Sequence, residues 1–576
     1  MNMEHMQTKT AKVHECGREE LPQSAKTALV LIFRRFAGLS FKLEHLPKAA
    51  EGRTTAADLR AAVPVLLRHH YLVSARNPWG ERLFFIPHEI TGVIHKHWIK
   101  PQLSPICGYE IKLIKEAKRG LVLDLFRSLV WIARHGMPVT VKGAIHQRTV
   151  VKLSEQTALQ PTDLTGLGLE YPHKEAIPAS TAVVLDLLLE SGIIIQAPKA
   201  WQLNVQAIAL WLEHSVDEMN AELYRRIQLK YVPAEAGLQH FVYALSSPSL
   251  AQGEWYSFEM FIQWMQEEKL LRSSLSEEWR SWIWGWMEAL SGFGWLELGC
   301  NDAWERIFRW IDLPGRVDLE QDDWHRFEDR EAAKFGFYVQ PDFEMMVSPE
   351  VPFAFRWELE AFSECISADR MSVYRITQES IAGGIRNGRS WREALDHLRH
   401  SFSGVPDNVA LALEEWGRQL GEPGEGTPFP RLDISLPMKG GPNDNPLTGG
   451  IGRGWIFCGE DRSAYRLYDA GLKQEELFPG LAQVPTMWLK TARSYHSSTA
   501  REIVSQAIKW RVMLALEIKG EMFEYLPTGL QEDAGWQVVG KLFSPNAPEG
   551  RDAVLAPEDW EIMRLLLPET ATGYRT

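Results

Sequence analysis

The amino-acid sequence predicts an α+β protein that is mainly α-helical and consists of several small domains in tandem. Apolar residues recur at helical spacing in many segments, as at Leu29, Ile32 and Phe36. Three times along the chain, helical segments are followed by short apolar strands next to turn residues. The length of 576 residues suggests about three to five domains. Its 45% apolar and 24% charged residues are ordinary for a globular protein.

Residues 20–100 predict a winged helix, in which three helices precede a β-hairpin. The third helix follows the caps Thr54 and Thr55, and Pro64 inside it implies a kink or a later start. In helix-turn-helix readers the third helix enters the major groove of DNA. The candidate DNA contacts are therefore Arg60, Arg68, His69 and His70 on this helix, with Arg76 and Arg82 on the wing. Winged helices also bind proteins, and that alternative stays open.

The net charge is divided unevenly along the chain. Residues 1–150 hold 23 Lys and Arg against 12 Asp and Glu, a net charge of +11, whereas the remainder carries −24. A basic block attracts nucleic acid because its contacts with phosphates release counterions. DNA is therefore the predicted partner of the first 150 residues. The acidic remainder is expected to face away from DNA or to meet a basic partner; chance drift of surface charge is the alternative.

Two further units of similar shape are expected. Residues 119–230 predict a second winged helix, whose candidate phosphate contacts are Lys142, Arg148 and Lys152; the alternative is a polar helix start with solvated charges. Residues 235–312 predict a third, Trp-rich unit. Its tryptophans could stack on bases, but Trp279, Trp282 and Trp286 lie at helical spacing, which favours packing in a core.

Residues 335–421 contain the most specific pattern. A strand ends in Gln340-Pro341-Asp342 and is followed by a helix that is expected to carry Phe362 and Glu364. A capping box at Ser390 and Glu393 begins another helix, and the last helix opens at Pro406.

This order resembles the small domain at the N-terminus of XPB-like DNA helicases. The domain recurs in bacterial helicase-associated proteins that have no helicase motor. The resemblance implies a small α/β domain without catalytic residues, which contacts other proteins or the helicase itself. It also implies a cytoplasmic protein linked to DNA helicases.

The last part of the chain predicts a connector and a compact module. Residues 422–455 are rich in Gly, Pro, Asn and Asp, which is typical of a mobile connector or long loop. Residues 480–570 predict a C-terminal α+β module with a helix over 500–510, capped by Ser498 or Thr499, and several strands. The module weakly resembles the ligand-sensing WYL modules of bacterial transcription regulators.

The sequence indicates no catalytic constellation. The nearest approach to a phosphate-binding loop, Gly535 to Lys541, continues with Leu542 where a Ser or Thr should hold Mg²⁺, and its residues are typical of a strand. Ser494, His496 and Ser498 lie together without the G-x-S-x-G elbow of a hydrolase. We therefore expect no enzyme activity, no cofactor and no metal site.

The predicted function is a non-enzymatic DNA-binding or helicase-associated accessory protein. The sequence has no apolar stretch of membrane-spanning length and no secretory signal, and its five cysteines are widely spaced, which fits a reducing cytoplasm. The alternatives are a protein-interaction scaffold that never touches DNA and a transcription regulator with a C-terminal sensor module.

Overall fold

The structure is a computed structural model that describes residues 21–108, 110–141, 144–197, 199–314, 336–420, 429–432, 466–468, 471–532, 535–544 and 547–568. It is a mixed α+β fold with 45% helix and 20% strand, distributed over several small sheets. The predicted fold class is thus confirmed. No helix among these residues is both long and apolar enough to cross a membrane.

The first unit, residues 21–100, has helices on both sides of a short hairpin. Its elements are α1 Gln23–Phe36, a 3₁₀ helix Leu43–Lys48, α2 Ala56–Arg68, β1 Val73–Arg76, β2 Arg82–Phe85 and α3 His88–His97. Thr55 caps α2: its hydroxyl accepts from the amide of Asp58, whose carboxylate accepts from the amide of Thr55. Pro64 lies inside this helix, so the later start that the sequence allowed is wrong.

The second unit, residues 121–231, has the order helix, strand, helix, helix and hairpin, with a strand where the first unit has the isolated bridge between Phe41 and Phe84. A short strand before it, β3 Lys112–Lys115, joins the sheet of the third unit. The second unit then contains α4 Leu121–His135, β4 Met137–Pro138, α5 Gln147–Ser154, a 3₁₀ helix Pro161–Leu167, α6 Ala179–Glu190, β5 Ile194–Ile195, β6 Ala200–Leu203, α7 Val205–Glu213 and α8 Val216–Tyr231.

The third unit, residues 236–314, has the same order once more. It consists of α9 Ala236–Leu245, β7 Tyr256–Ser257, α10 Phe258–Glu267, α11 Glu277–Gly292, β8 Leu296–Cys300 and β9 Arg306–Trp310. Trp286, Trp295 and Trp310 are fully buried, and Trp282 stacks on Trp286. Trp282 and Trp286 therefore pack in the core, as their helical spacing indicated, and Trp279 packs against it half-buried.

The second and third units meet where two backbones approach closely. Gly285 of α11 faces Gly166 of the 3₁₀ helix Pro161–Leu167, and a Cβ added at Gly285 would lie 2.5 Å from the Gly166 Cα. Only glycine pairs allow such an approach. This contact buries the middle of α11 against the neighbouring unit.

The fourth unit, residues 336–420, combines a four-stranded sheet with four helices. Its elements are β10 Phe337–Val339, β11 Glu344–Val347, α12 Phe353–Phe362, β12 Glu364–Ser367, β13 Ser372–Arg375, α13 Gln378–Arg386, α14 Trp391–Leu398 and α15 Asp407–Leu420. The strands lie in the order β10-β11-β13-β12. Glu364 was expected in the helix with Phe362, which is wrong, because α12 ends at Phe362 and Glu364 begins β12.

The C-terminal module is a five-stranded antiparallel sheet packed on one long helix. It contains β14 Arg466–Leu467, α16 Gln474–Leu477, α17 Met487–Lys490, α18 Ser497–Trp510, β15 Met513–Ile518, β16 Glu521–Glu532, β17 Trp536–Ser544, β18 Ala547–Leu555 and β19 Met563–Leu566. The five strands lie in the order β18-β17-β16-β15-β19. The cap of α18 is His496 rather than Ser498 or Thr499, since its imidazole accepts from the Ser498 amide.

Candidate nucleic-acid interface

Arg60 lies in an internal interface between the first unit and the C-terminal module. Its guanidinium donates to the carbonyl oxygens of Leu477 (3.3 Å) and Trp510 and lies 5.6 Å from the ring centre of Phe478. Burial, together with the neighbouring Arg511, lowers the pKa of Arg60. Arg60 thus joins α2 to the C-terminal module, and its contact with DNA stays a prediction.

The outer face of α2 is covered in the same way. Ala57 and Ala61 are buried in a core formed mainly by the C-terminal module, which includes Leu477, Phe478 and Trp510. Small side chains on this face allow the module to approach the helix closely. The helix that was expected to enter a DNA groove is therefore an internal helix in this structure.

The wing arginines also contact the C-terminal module. Arg76 lies 3.8 Å from the ring centre of Tyr468, and Arg82 lies 4.8 Å from the same ring. Arg82 is in addition 3.6 Å from the carboxylate of Glu476. The strand β14 extends this sheet by pairing with β1, so the edge of the wing is occupied. The C-terminal module is thus contacted by Arg60, Arg76 and Arg82.

The remaining candidates lie elsewhere. Arg68 is exposed at the end of α2, and His69 and His70 are half-buried beside it, with His70 in the left-handed region at φ 60°. Arg148 and Lys152 are exposed on α5, where Lys152 pairs with Glu155 at 2.9 Å. Lys142 lies outside the described residues. Their DNA contacts stay a prediction.

Part of the basic excess of the first 150 residues is paired with acids later in the chain. Six of its basic side chains form ion pairs of this kind: Arg34 with Glu268, Arg53 with Glu524, Arg82 with Glu476, Lys115 with Asp163, and both Arg127 and Arg134 with Glu360. The acidic remainder thus faces a basic partner within the same molecule. This reduces the positive field that the uneven charge predicted for DNA.

The third helices of the other two units are also largely internal. In α6, every residue from Ser180 to Leu188 is buried. In α11, the exposed residues lie in its first two turns, where Glu277 and Glu278 would repel phosphates. None of the three helices presents the long exposed basic face that groove reading requires.

A buried ionic cluster joins the second unit to the fourth, and no local pattern in the sequence indicates it. The Glu360 carboxylate is fully buried and accepts from the guanidiniums of Arg127 and Arg134, the latter at 2.7 Å. Arg119 adds a bond of 2.7 Å to the carbonyl of Ala368. The fourth unit is therefore fixed to the second by charged groups that lie more than 200 residues apart in the chain.

Part of the predicted connector also packs on the fourth unit. Of residues 422–455 the structure describes 429–432, where Phe429 is buried and contacts Trp357 at 4.5 Å between ring centres. Arg389 donates to the carbonyl of Pro430 and to the carboxylate of Glu358, both at 3.1 Å. These four residues of the predicted mobile connector or long loop thus pack on the fourth unit; the rest of residues 422–455 lies outside the described residues.

A cavity of about 220 Å³ lies beside this segment, lined by Glu358, Phe362, Arg389, Glu393, Ala394, His397, Arg431 and Leu432. Its two arginines pair with its own two glutamates. Burial lowers the pKa of His397 to about 4, so this side chain is neutral at pH 7. The lining therefore offers no unpaired charge to a ligand.

The two segments that most nearly resemble catalytic motifs have structural roles. Residues 536–544 form β17, paired with β16 and β18, so Gly535 to Lys541 is not a loop between a strand and a helix. The His496 imidazole lies 2.9 Å from the Ser498 hydroxyl at the start of α18. Within the part of the chain that the structure describes, no group of three or more His, Cys, Asp or Glu side chains could hold a metal ion.

A family match was found for a segment that coincides with the fourth unit. Residues 337–423 match a family described as "Helicase conserved C-terminal domain". The segment is therefore similar to a helicase-associated C-terminal domain, whereas its assignment to the N-terminal domain of XPB-like helicases stays a prediction. No curated protein matches the chain.

Proposed function

We propose that this protein is a helicase-associated accessory protein in DNA transactions, with no motor or other enzymatic activity of its own. The observation that carries the proposal is the match of residues 337–423 to a helicase domain family. The absence of a motor is supported by the strand conformation of the only stretch that approaches a phosphate-binding loop.

The fourth unit offers a surface for a protein partner. One face of its sheet packs on the helices through Met345, Val347 and Tyr374, which are all buried. The open face carries Tyr338, Met346 and Ile366, which are 43%, 36% and 49% exposed. Exposed apolar side chains that are close together mark interaction sites. This face is where the helicase is expected to bind.

The first three units bear on whether the protein binds DNA directly. Their order of helices and hairpin resembles that of winged helices, and their third helices pack mainly against other parts of the chain. The internal ion pairs of the basic block favour the second candidate, a scaffold that binds proteins and never touches DNA. A measurement of DNA binding distinguishes the DNA-binding accessory protein from the scaffold.

The first test combines ATP hydrolysis with the unwinding of a forked duplex by a DNA helicase of the same organism. The protein alone is expected to hydrolyse no ATP, with or without DNA, and to change the unwinding rate of the helicase. Met346→Asp is expected to abolish that change, whereas Leu411→Asp, at a 66% exposed position on α15, should preserve it. ATP hydrolysis by the protein alone, or equal effects of the two variants, would contradict the proposal.

The second test is fluorescence anisotropy of the full chain with single-stranded and duplex DNA across a salt series. Binding that weakens steeply as salt rises supports direct work on DNA. An absence of binding at low salt, together with an effect on the helicase, would favour the scaffold.

A further inference from the structure

Two hairpin tips in different units share one hydrogen-bonding arrangement. At the tip between β1 and β2, the Asn77 side-chain oxygen accepts from the amides of Trp79 (3.1 Å) and Glu81 (2.9 Å). Its side-chain amide donates to the Glu81 carboxylate at 2.8 Å. The Asn77 side chain thus binds two backbone amides and one carboxylate within the next four residues, which restrains the tip.

The tip between β8 and β9 repeats this arrangement with a different sequence. The Asn301 side-chain oxygen accepts from the amides of Ala303 (3.0 Å) and Glu305 (2.9 Å), and its amide donates to the Glu305 carboxylate at 2.9 Å. The backbone bonds also correspond, because Asn77 and Asn301 each donate an amide to the carbonyl of the glutamate four residues later. Residues 77–81 and 301–305 therefore form the same set of hydrogen bonds, which we call the clasp. Each clasp contains one tryptophan.

Both tryptophans are displayed to solvent. Trp79 is 81% exposed and Trp304 is 75% exposed, the highest values among the described tryptophans. A single exposed apolar residue is ordinary on a protein surface. Two restrained tips that display the same large aromatic ring are better explained by a shared ligand.

The backbone of Trp304 supports this explanation. The fourth position of the clasp lies in the left-handed region, where the first tip has Gly80 at φ 82° and the second has Trp304 at φ 61°. A bulky side chain in this region is strained, and such strain is characteristic of functional sites. Glycine would fold better at this position, so the tryptophan is kept against the local backbone preference.

We propose that Trp79 and Trp304 stack on unpaired bases of single-stranded nucleic acid. This inference rests on the proposed role in DNA transactions and places the contact on the wing tips instead of the third helices. Aromatic rings on rigid supports are the usual stacking platforms for single strands, and they tolerate any base because each base has a flat π-face. In a duplex those faces are already stacked.

A cation lies near each ring, and the exposed carboxylates of Glu81, Asp302 and Glu305 lie beside the two tips. The Lys112 ammonium lies 5.3 Å from the ring centre of Trp304, where it can meet the phosphate next to a stacked base. Arg76, which lies 3.8 Å from the ring centre of Tyr468 and is exposed two residues before Pro78, places a cation close to the first tip. Aromatic anchors of protein interfaces lie at the centre of an apolar patch, whereas Trp79 is flanked by exposed Pro78, Gly80 and Glu81.

The test is fluorescence anisotropy of the full chain with labelled oligo-dT and with a duplex of the same length, at several salt concentrations. Trp79→Ala and Trp304→Gly are each expected to weaken oligo-dT binding at least about fivefold, the lower end of the loss for a stacked aromatic. The dependence on salt should stay the same, because the phosphate contacts remain. Trp98→Ala, 40% exposed at the end of α3, is the matched control and should bind normally.

Two further readings separate binding from folding. Trp304→Gly removes backbone strain, so its melting temperature should equal or exceed that of the wild type while its binding falls. Asn77→Ala, which keeps Trp79 but releases the clasp, should weaken binding as well. Unchanged oligo-dT binding in the double variant Trp79→Ala, Trp304→Gly would overturn the inference, as would an equal loss on the duplex. Neither result affects the helicase assay, which tests the proposed function at Met346.

Discussion

The contact between Gly285 and Gly166 provides a stability prediction whose sign can be worked out from the geometry. A methyl group at position 285 would lie 2.5, 2.8 and 3.1 Å from the Cα, C and O atoms of Gly166. Favourable contacts between carbon atoms begin at about 3.5 Å, so α11 and the 3₁₀ helix must separate by about 1 Å. Overpacking of this kind costs about 1–3 kcal/mol. Gly285→Ala is therefore expected to destabilise the junction of the second and third units.

Replacing glycine by alanine is expected to increase stability, rather than decrease it, at Gly92. This residue lies inside α3, and a Cβ added there would meet no atom within 4 Å. Alanine restricts the unfolded chain and suits a helix better than glycine, so Gly92→Ala should stabilise by about 0.5–1 kcal/mol. The two variants should differ by about 2–4 kcal/mol, although each adds one methyl group to a helix.

Hydrogen exchange measured by mass spectrometry can locate both effects. A chain of several units need not unfold in one step, so protection is compared peptide by peptide. Protection should fall in α11 and in residues 161–167 of Gly285→Ala, and rise or stay constant in α3 of Gly92→Ala. Undiminished protection of α11 in Gly285→Ala would refute the packing argument, as would equal losses in both variants.

Two other predictions concern buried charge. Glu360→Ala leaves Arg127 and Arg134 without their carboxylate, and breaking a buried pair costs about 3–5 kcal/mol of stability, which a urea titration can measure. The control is Glu414→Ala, which removes an exposed i,i+4 ion pair and should cost at most about 0.5 kcal/mol in the same titration. Similar urea midpoints for the two variants would contradict the assignment. Burial lowers the pKa of His240 from 6.5 to about 4. As the pH falls, the unfolded chain therefore binds a proton at this histidine before the folded chain does. The free energy of unfolding should thus decrease by about 3 kcal/mol between pH 6.5 and pH 4. His240→Gln should remove the contribution of His240 to that dependence and leave the contribution of His397, whose pKa is also about 4. A pH profile with unchanged slope would contradict the assignment to His240.

The sequence was informative where structure is local. The helix starts at Thr55 and Ser390 could be predicted because each cap and its partner lie three residues apart. The strand over 536–544 could be predicted because its β-branched and aromatic residues carry the signal themselves. The helical spacing of Trp282 and Trp286 likewise indicated core packing.

The environment of the candidate DNA contacts could not be predicted in this way. Whether Arg60 faces solvent or the carbonyl of Trp510 depends on a contact between residues 450 positions apart. The Glu360 cluster and the partners of Arg76 depend on similar distances in sequence. Periodicity indicates that a helix has a buried face, but the partner that covers its other face is set by the packing of whole units.

The pairing of β14 with β1 has a consequence for the synthesis of the protein. The Ser74 hydroxyl donates to the carbonyl of Tyr468 at 2.8 Å, across 394 residues of chain. At about 5–20 residues per second, a ribosome needs about 20–80 s to make the segment between them. During that time β1 is an uncovered strand edge, and such edges pair readily with other chains. The nascent chain is therefore most prone to aggregation before its C-terminal module emerges, and slower elongation over residues 80–460 should prolong its need for chaperones.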